Sequence, residues 1–279
     1  MSGSSHARFL ALHTATRPLL LPNAWDAASA RLWQHAGATA VATSSAAMAW
    51  SRGYADGGAL PRADLLDALR GIVRVTAVPV SADIEHGYSD DPQAVAALVV
   101  EVVDTGAIGI NLEDGGGPPA LLAAKIAAIR AALGAAPCFI NARTDVYLRA
   151  LASGEAAVAM SIARLAQYRD AGADGGFVPG LTSADDAATI ARAVPLAINV
   201  MAMPGLARVD ALAAAGVQRI SSGPQLFKAA FGTALAATQA YLRGDFAPAL
   251  ASTLDFGRIN ALFADPEPGC DRSAKDAAD

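Results

Sequence analysis

Cysteine is nearly absent. Cys138 lies in an apolar run and Cys270 in a polar tail, and there are no others among the 279 residues. That leaves no disulfide framework and no cysteine metal cluster. Charge is also scarce, at 17% of residues with a net of -5, and no basic patch interleaves with aromatic residues. Nucleic acid is therefore not an expected partner. No apolar run reaches membrane-spanning length, because Asp, Arg and Gly interrupt the Ala-rich segments. The opening stretch "MSGSSHARFLALHTATRP" lacks the long apolar core of a signal peptide. A soluble, cytoplasmic protein without a membrane partner is the expectation. Lysine is confined to Lys125, Lys228 and Lys275, two in helical patterns and one in the tail. A Schiff-base aldolase needs an inward lysine on a strand, and none is placed to serve.

What the chain has in quantity is apolar residues, 53% of the total, enough for a large core. Eight short apolar runs recur: "PLLLPN", "ATAVATSS", "VPVSADIE", "AIGINLED", "PCFINART", "GGFVPG", "PLAINVM" and "VQRISSG". Amphipathic stretches such as "DPQAVAALVVEVVDTGA" separate them and show helical spacing. Gly37, Gly106, Gly172 and Gly216 each follow such a stretch and suit the left-handed residue that ends a helix. Strand and helix alternating eight times in this length predict a single (β/α)8 TIM barrel. A doubly wound open sheet is the alternative, but no Gly-rich phosphate fingerprint follows the first strand. Two further helices are expected over roughly 224–243 and 247–264, closing a domain of residues 1–264. Residues 265–279 read as a polar, disordered tail.

In a parallel barrel the C-terminal strand ends share one rim, where active sites sit. The polar residues at those ends are Asn23 and Asp26; Ser44 and Ser45; Asp83 and Glu85; Glu113 and Asp114. Arg143 and Asp145, Asn199, and Ser221 and Ser222 follow. Asp83 and Glu85 are two apart, so on an extended strand they share a face. Glu113 ends the neighbouring strand. Three crowded carboxylates call for a divalent cation, and an all-oxygen set favours Mg²⁺ or Mn²⁺ over Zn²⁺. Arg143 supplies a fixed positive charge one strand on. Plainer roles exist for several of these residues. Asp114 is suited to capping the following turn, Asp145 to pairing with Arg143, and Glu85 to pairing with Arg52 or His86. His86 serves either as a base or as the partner that fixes Glu85. Ser222 and Gly223 either cradle a phosphate or start a helix. Trp25 and Trp50 near the rim suit packing.

"LPNAWDAASARLWQHAGATAVATSS", "SADIEHGY", "INLED" and "NARTD" resemble, in this order, the isocitrate lyase and phosphoenolpyruvate mutase superfamily. The resemblance spans roughly residues 20–245. It implies a (β/α)8 barrel, often with the last helix exchanged between subunits in dimers of dimers. It implies a homo-oligomer, Mg²⁺, and a small 2-oxo acid cleaved at a C–C or P–C bond through an enolate. Carried over by position, Asp83 resembles the direct metal ligand, and Glu85 and Glu113 the acids holding metal-bound waters. Ser44, Ser45 and Ala46 match the segment that holds the substrate carboxylate, and Arg143 the arginine that neutralises the oxyanion. Asp56, in "GYADGG", is similar to an Asp near the metal, and Asn199 to a pocket residue.

The chain departs from this pattern after Glu113. Lyases of the superfamily carry a long mobile loop there with a catalytic Cys, and mutases a Lys and Asn. Here the sequence reads "EDGGGPPALLAAKIAAIR", a few Gly and Pro before the next helix. This argues against true isocitrate or methylisocitrate lyase activity and against phosphonate mutase activity. Oxaloacetate decarboxylation or hydrolysis needs less of a lid, with Asp56, Tyr54, His86 or a metal-bound water moving protons. A barrel that binds a 2-oxo acid without turnover is the reading from outside catalysis.

Overall fold

The computed structural model describes residues 2–264. The eight apolar runs supply nine parallel strands: β1 (Leu19–Leu21), β2 (Asn23–Ala24), β3 (Val41–Thr43), β4 (Val80–Asp83), β5 (Gly109–Glu113), β6 (Phe139–Arg143), β7 (Gly175–Phe177), β8 (Ala197–Met201) and β9 (Val217–Ser221). The first run gives two strands because Pro22 interrupts it. β1 pairs with β9 and β2 pairs with β3, so the split run joins both edges and closes the ring. Closure rules out the doubly wound alternative. The fold is a (β/α)8 barrel.

Period-two alternation sets the two faces of each strand. Ala82, Ile110, Leu112, Ile140, Ala142, Ile198 and Val200 face outward into the main core, against helices such as Pro92–Asp104 and Pro119–Leu133. The inward residues are mostly polar or small. Local signals place the helix ends. Asp26 caps Ala27–His35 in a reciprocal box with Ser29, and Asp91 caps the helix that begins at Pro92. Gly37, Gly106, Gly172 and Gly216 have φ of 98°, 98°, 112° and 83°, as expected of helix exits.

Two features differ from expectation. Ser2–Leu12 is a helix that closes the N-terminal mouth of the barrel. Its Phe9 packs edge-on to Phe139, within an apolar floor of Leu19, Leu21, Ala40 and Ala42. Its polar, weakly periodic sequence hid it. The final helix is broken into Ala247–Leu250 and Phe256–Ala264, because the Ser252 and Asp255 side chains bond the backbone locally and compete with the helix. The other late helix, Gln225–Leu242, lies where expected. Residues 265–279, with Cys270 and Lys275, lie outside the described residues. Among the described residues no helix is long and apolar enough to cross a membrane.

Candidate functional site

Asp83, the last residue of β4, is the anchor of the rim. Its Oδ2 accepts from the Ser45 N–H at 3.2 Å and the Ser45 hydroxyl at 3.1 Å. Its own N–H donates to Thr43 Oγ1 at 2.8 Å. Ser44 caps the short helix Ser45–Ser51 by accepting from the Ala47 N–H. The predicted carboxylate-binding segment thus first fixes the rotamer of the predicted metal ligand.

The strand ends at Asp83, so Glu85 does not share its face by strand alternation. Instead Glu85 turns back with φ of 53°, and Tyr88 follows at 58°. Left-handed backbone at bulky residues is uncommon and clusters at functional sites. Gly87 between them has no room for a side chain, since a Cβ would stand 2.6 Å from Val95 Cγ1. The turn brings the Glu85 N–H to Asp83 Oδ1 at 3.3 Å. The two acids therefore meet as expected, through a tight loop.

Glu113 and Arg143 face each other in register across β5 and β6, with Arg143 Nη1 2.5 Å from Glu113 Oε2. Arg143 also donates from Nε to Asp145 Oδ1 at 2.7 Å and from Nη2 to Oδ2 at 3.1 Å. It stands over the Phe177 ring. Arg143 is therefore rigid, and Asp145 pairs with it. Arg52 pairs with Asp67, not with Glu85.

Electrostatics separate these acids from ordinary ones. Burial, then Asp83 and Asp56, push the Glu85 carboxyl up to about 7. Burial pushes Glu113 up to about 8, against the pull of Arg143. Asp56 is raised by burial and then by Asp83, which places it beside the same cluster. Glu85 Oε1 is buried and has no partner among the described residues. Asp83, Asp56, Glu85 and Glu113 thus crowd one another, and each of the last three is harder to ionise than an ordinary carboxyl. No three His, Cys, Asp or Glu side chains among the described residues close on a single point as ion ligands. The set fits an ion that takes few protein ligands and keeps its waters, as Mg²⁺ does.

Other candidates fall on the periphery. His86 is half-buried at the mouth, its ring 3.4 Å from where a Gly58 Cβ would sit, and its carbonyl accepts from Lys125 Nζ at 2.9 Å. Lys125 is therefore buried on a helix, holding the loop. Beside it lies a pocket of about 390 Å³ lined by Glu85, His86, Glu113, Lys125 and the Gly115–Gly117 loop. Residues 114–118 are all that separate β5 from the next helix, so no long gating loop follows Glu113. Asn199 is fully buried in the barrel, and neither its Nδ2 nor its Oδ1 has a partner among the described residues. Ser222 accepts from the Asn23 N–H at 2.8 Å and the Gly223 N–H donates to Asn23 Oδ1 at 2.9 Å, so that loop is no phosphate cradle. Trp25 packs edge-on to Phe227, and Trp50 is tilted against the same ring. Sequence reasoning missed Arg219, which stands fully buried on β9 inside the barrel. The run "VQRISSG" held the signal, a charged residue at an inward strand position.

A family model described as phosphoenolpyruvate phosphomutase matches residues 9–242. The chain belongs to the phosphoenolpyruvate phosphomutase family. This bears out the resemblance read from the motifs. Uncharacterized protein Rv1998c of Mycobacterium tuberculosis (strain H37Rv) is 36% identical over 261 residues, 92% of this chain and 96% of that one. A solved protein of Burkholderia cenocepacia J2315, provisionally described as a lyase/mutase, superposes with a TM-score of 0.86 at 37% identity, over 95% of this chain and 97% of that one. The oxaloacetate decarboxylase of Pseudomonas entomophila (strain L48) is 32% identical over 184 residues, 62% of this chain and 60% of its own length. A phosphonopyruvate hydrolase solved with oxalate and Mg²⁺ shares the fold, with a TM-score of 0.80 at 21% identity over 93% and 94% of the two chains. The relatives that carry activity names are lyases, mutases, decarboxylases and hydrolases acting on small carboxylates.

Proposed function

We propose that this phosphoenolpyruvate phosphomutase family member is a Mg²⁺-dependent enzyme that cleaves a C–C bond next to the ketone of a small 2-oxo acid. The observation that carries this reading is the crowd of Asp83, Glu85, Glu113 and Asp56, two of them with carboxyls raised to about 7 and 8, opposite an arginine held rigid. Asp83 would hold the ion, and Glu85 and Glu113 would accept hydrogen bonds from its water shell. Held there, Mg²⁺ would supply the Lewis acidity that stabilises an enolate. Ser44 and Ser45 position Asp83 and the helix start, which leaves the Ala46 N–H for the substrate carboxylate. Arg143 offsets the charge that grows on the keto oxygen, the kind of preorganised contribution that is usually largest. Asn199 lines the pocket wall. When the C–C bond breaks, its electron pair passes into the enolate, and Asp56 or His86 returns a proton to carbon.

The short loop after Glu113 selects among reactions. Chemistry that needs a dry, closed site is poorly served by five residues rich in glycine. Loss of CO₂ from oxaloacetate needs no second substrate and little enclosure, and the decarboxylase relative supports it. The same missing loop favours one second reading, a barrel that binds a 2-oxo acid without turning it over. Assay of the purified protein with Mg²⁺ against oxaloacetate, 2-methylisocitrate and phosphonopyruvate separates them. Pyruvate from oxaloacetate supports the enzyme. Metal-dependent binding with no turnover supports the binder.

A homo-oligomer, dimer or tetramer, is part of the proposal. Phe231, Leu235 and Leu242 on helix 225–242, with Leu250 and Phe256 beyond it, are 50–85% exposed. So large an apolar face on the last helices suits contact with a second copy. Light scattering would show a mass at least twice the chain's 28.2 kDa.

A further inference from the structure

Arg219 is the largest fully buried side chain among the described residues. It sits on β9, pairs in register with Asn199 on β8, and reaches across the barrel. Its Nη2 donates to Asn111 Oδ1 at 3.2 Å. Asn111 is the register partner of Asp83. Its Nε and Nη1 have no partner among the described residues. A buried guanidinium without a carboxylate beside it is costly, and proteins seldom keep one without a use.

Its charge is felt above and below. Asp83, on the rim, is the group that favours its ionised form, although burial pushes Arg219 down to about 9. His13, in the turn that follows the floor helix, is pushed down to about 4 by burial and then by Arg219. A group at about 9 stays charged at neutral pH. The positive charge therefore lies mid-barrel, directly under the acidic rim.

Its place in the barrel gives it a role. A buried positive charge one residue pair from Asp83 opposes a cation on the rim and favours an anion there.

We propose that Arg219 is a positioning residue that trades cation affinity for anion affinity, keeping the metal-loaded rim neutral enough to accept an anionic 2-oxo acid. The inference rests on the Mg²⁺ and 2-oxo acid reading above. Its signature is opposite movement of two constants, which a merely structural residue would not give. Removing a nearby buried charge shifts each affinity by about tenfold at the effective dielectric of protein sites.

The test is calorimetric titration of Mg²⁺, and then of oxalate into the Mg²⁺-loaded protein. It compares wild type, Arg219→Met, Arg219→Gln and Arg219→Lys. The Met and Gln variants bind Mg²⁺ several-fold tighter and oxalate about tenfold weaker, while Lys stays near wild type. Gln keeps a donor for Asn111, so it reports even if Met fails to fold. Weakening of both constants together, no change in either, or a Lys variant that behaves like Met overturns the role of Arg219 and leaves the metal site standing. A wild type that binds neither ligand overturns the reading of the site itself, and the inference with it.

Discussion

Glu113 and Asp114 are adjacent in the chain and opposite in circumstance. Glu113 points into the barrel, where burial and other carboxylates raise it to about 8. Asp114 points outward and is held below the usual carboxylate range despite its burial. It accepts from Tyr168 Oη and Arg164 Nη1, each at 2.7 Å, and from the N–H groups of Asp145 and Gly116, each at 3.0 Å. One carboxylate is saturated with donors and ties three segments together. The other is crowded by its own kind. Structure satisfies its buried polar groups, and function leaves some waiting for a ligand.

Substitutions should break the two regions in opposite ways. The largest effect is expected at the crowded rim. Asp83→Asn should lower any Mg²⁺-dependent turnover by about 10³-fold or more. The metal-free variant should nonetheless melt higher than wild type at pH 8, because Glu85 and Glu113 lose a repelling neighbour. Asp114→Asn should do the reverse. It strips the part-buried Arg164 and the buried Tyr168 of their acceptor, which costs about 3 kcal/mol and lowers Tm by roughly 5–10 °C. A thermal melt of the two variants beside wild type checks both signs.

A smaller effect sharpens the comparison through protons. Glu85 and Glu113 are raised from the ordinary 4.5 to about 7 and 8, so between those values the folded chain binds more protons than the unfolded one. Stability of the metal-free protein should therefore fall as pH rises from about 5 to 8. Asp114 works with the opposite sign, since its depressed value contributes stability that is lost as pH falls toward and below 3.8. Mg²⁺ binding near pH 7 should release about one proton, read from the dependence of binding heat on buffer ionisation enthalpy. The smallest expected effect is at Tyr168→Phe, which removes one hydrogen bond to Asp114 for about 1–2 kcal/mol and leaves oxalate binding unchanged.

Much of this was legible in the sequence, for reasons that differ by residue. Strand runs and helix-exit glycines are local signals, so the eight runs and Gly37, Gly106, Gly172 and Gly216 marked the barrel directly. Asp83, Glu113 and Arg143 could be gathered because all barrel strands deliver their C-terminal ends to one rim. What stayed hidden depends on loop geometry and on contacts across the barrel. The left-handed turn at Glu85 runs into Gly87, where Val95 leaves no room for a side chain, a restriction no spacing rule contains. Ser45 clasping Asp83 joins two strands. Asp114 and Glu113 look alike in "LED", and only Tyr168 and Arg164, far along the chain, tell them apart. Arg219 needed the barrel to be closed before its burial under the rim was visible.

On the reading proposed above, the rim acids hold a divalent cation for an enolate-like ligand. Calorimetric titration of oxalate into wild type and Asp83→Ala, with and without Mg²⁺, tests it most directly. Binding is expected only when both Mg²⁺ and Asp83 are present. Oxalate binding that ignores either one, or no binding under any of the four conditions, would contradict it.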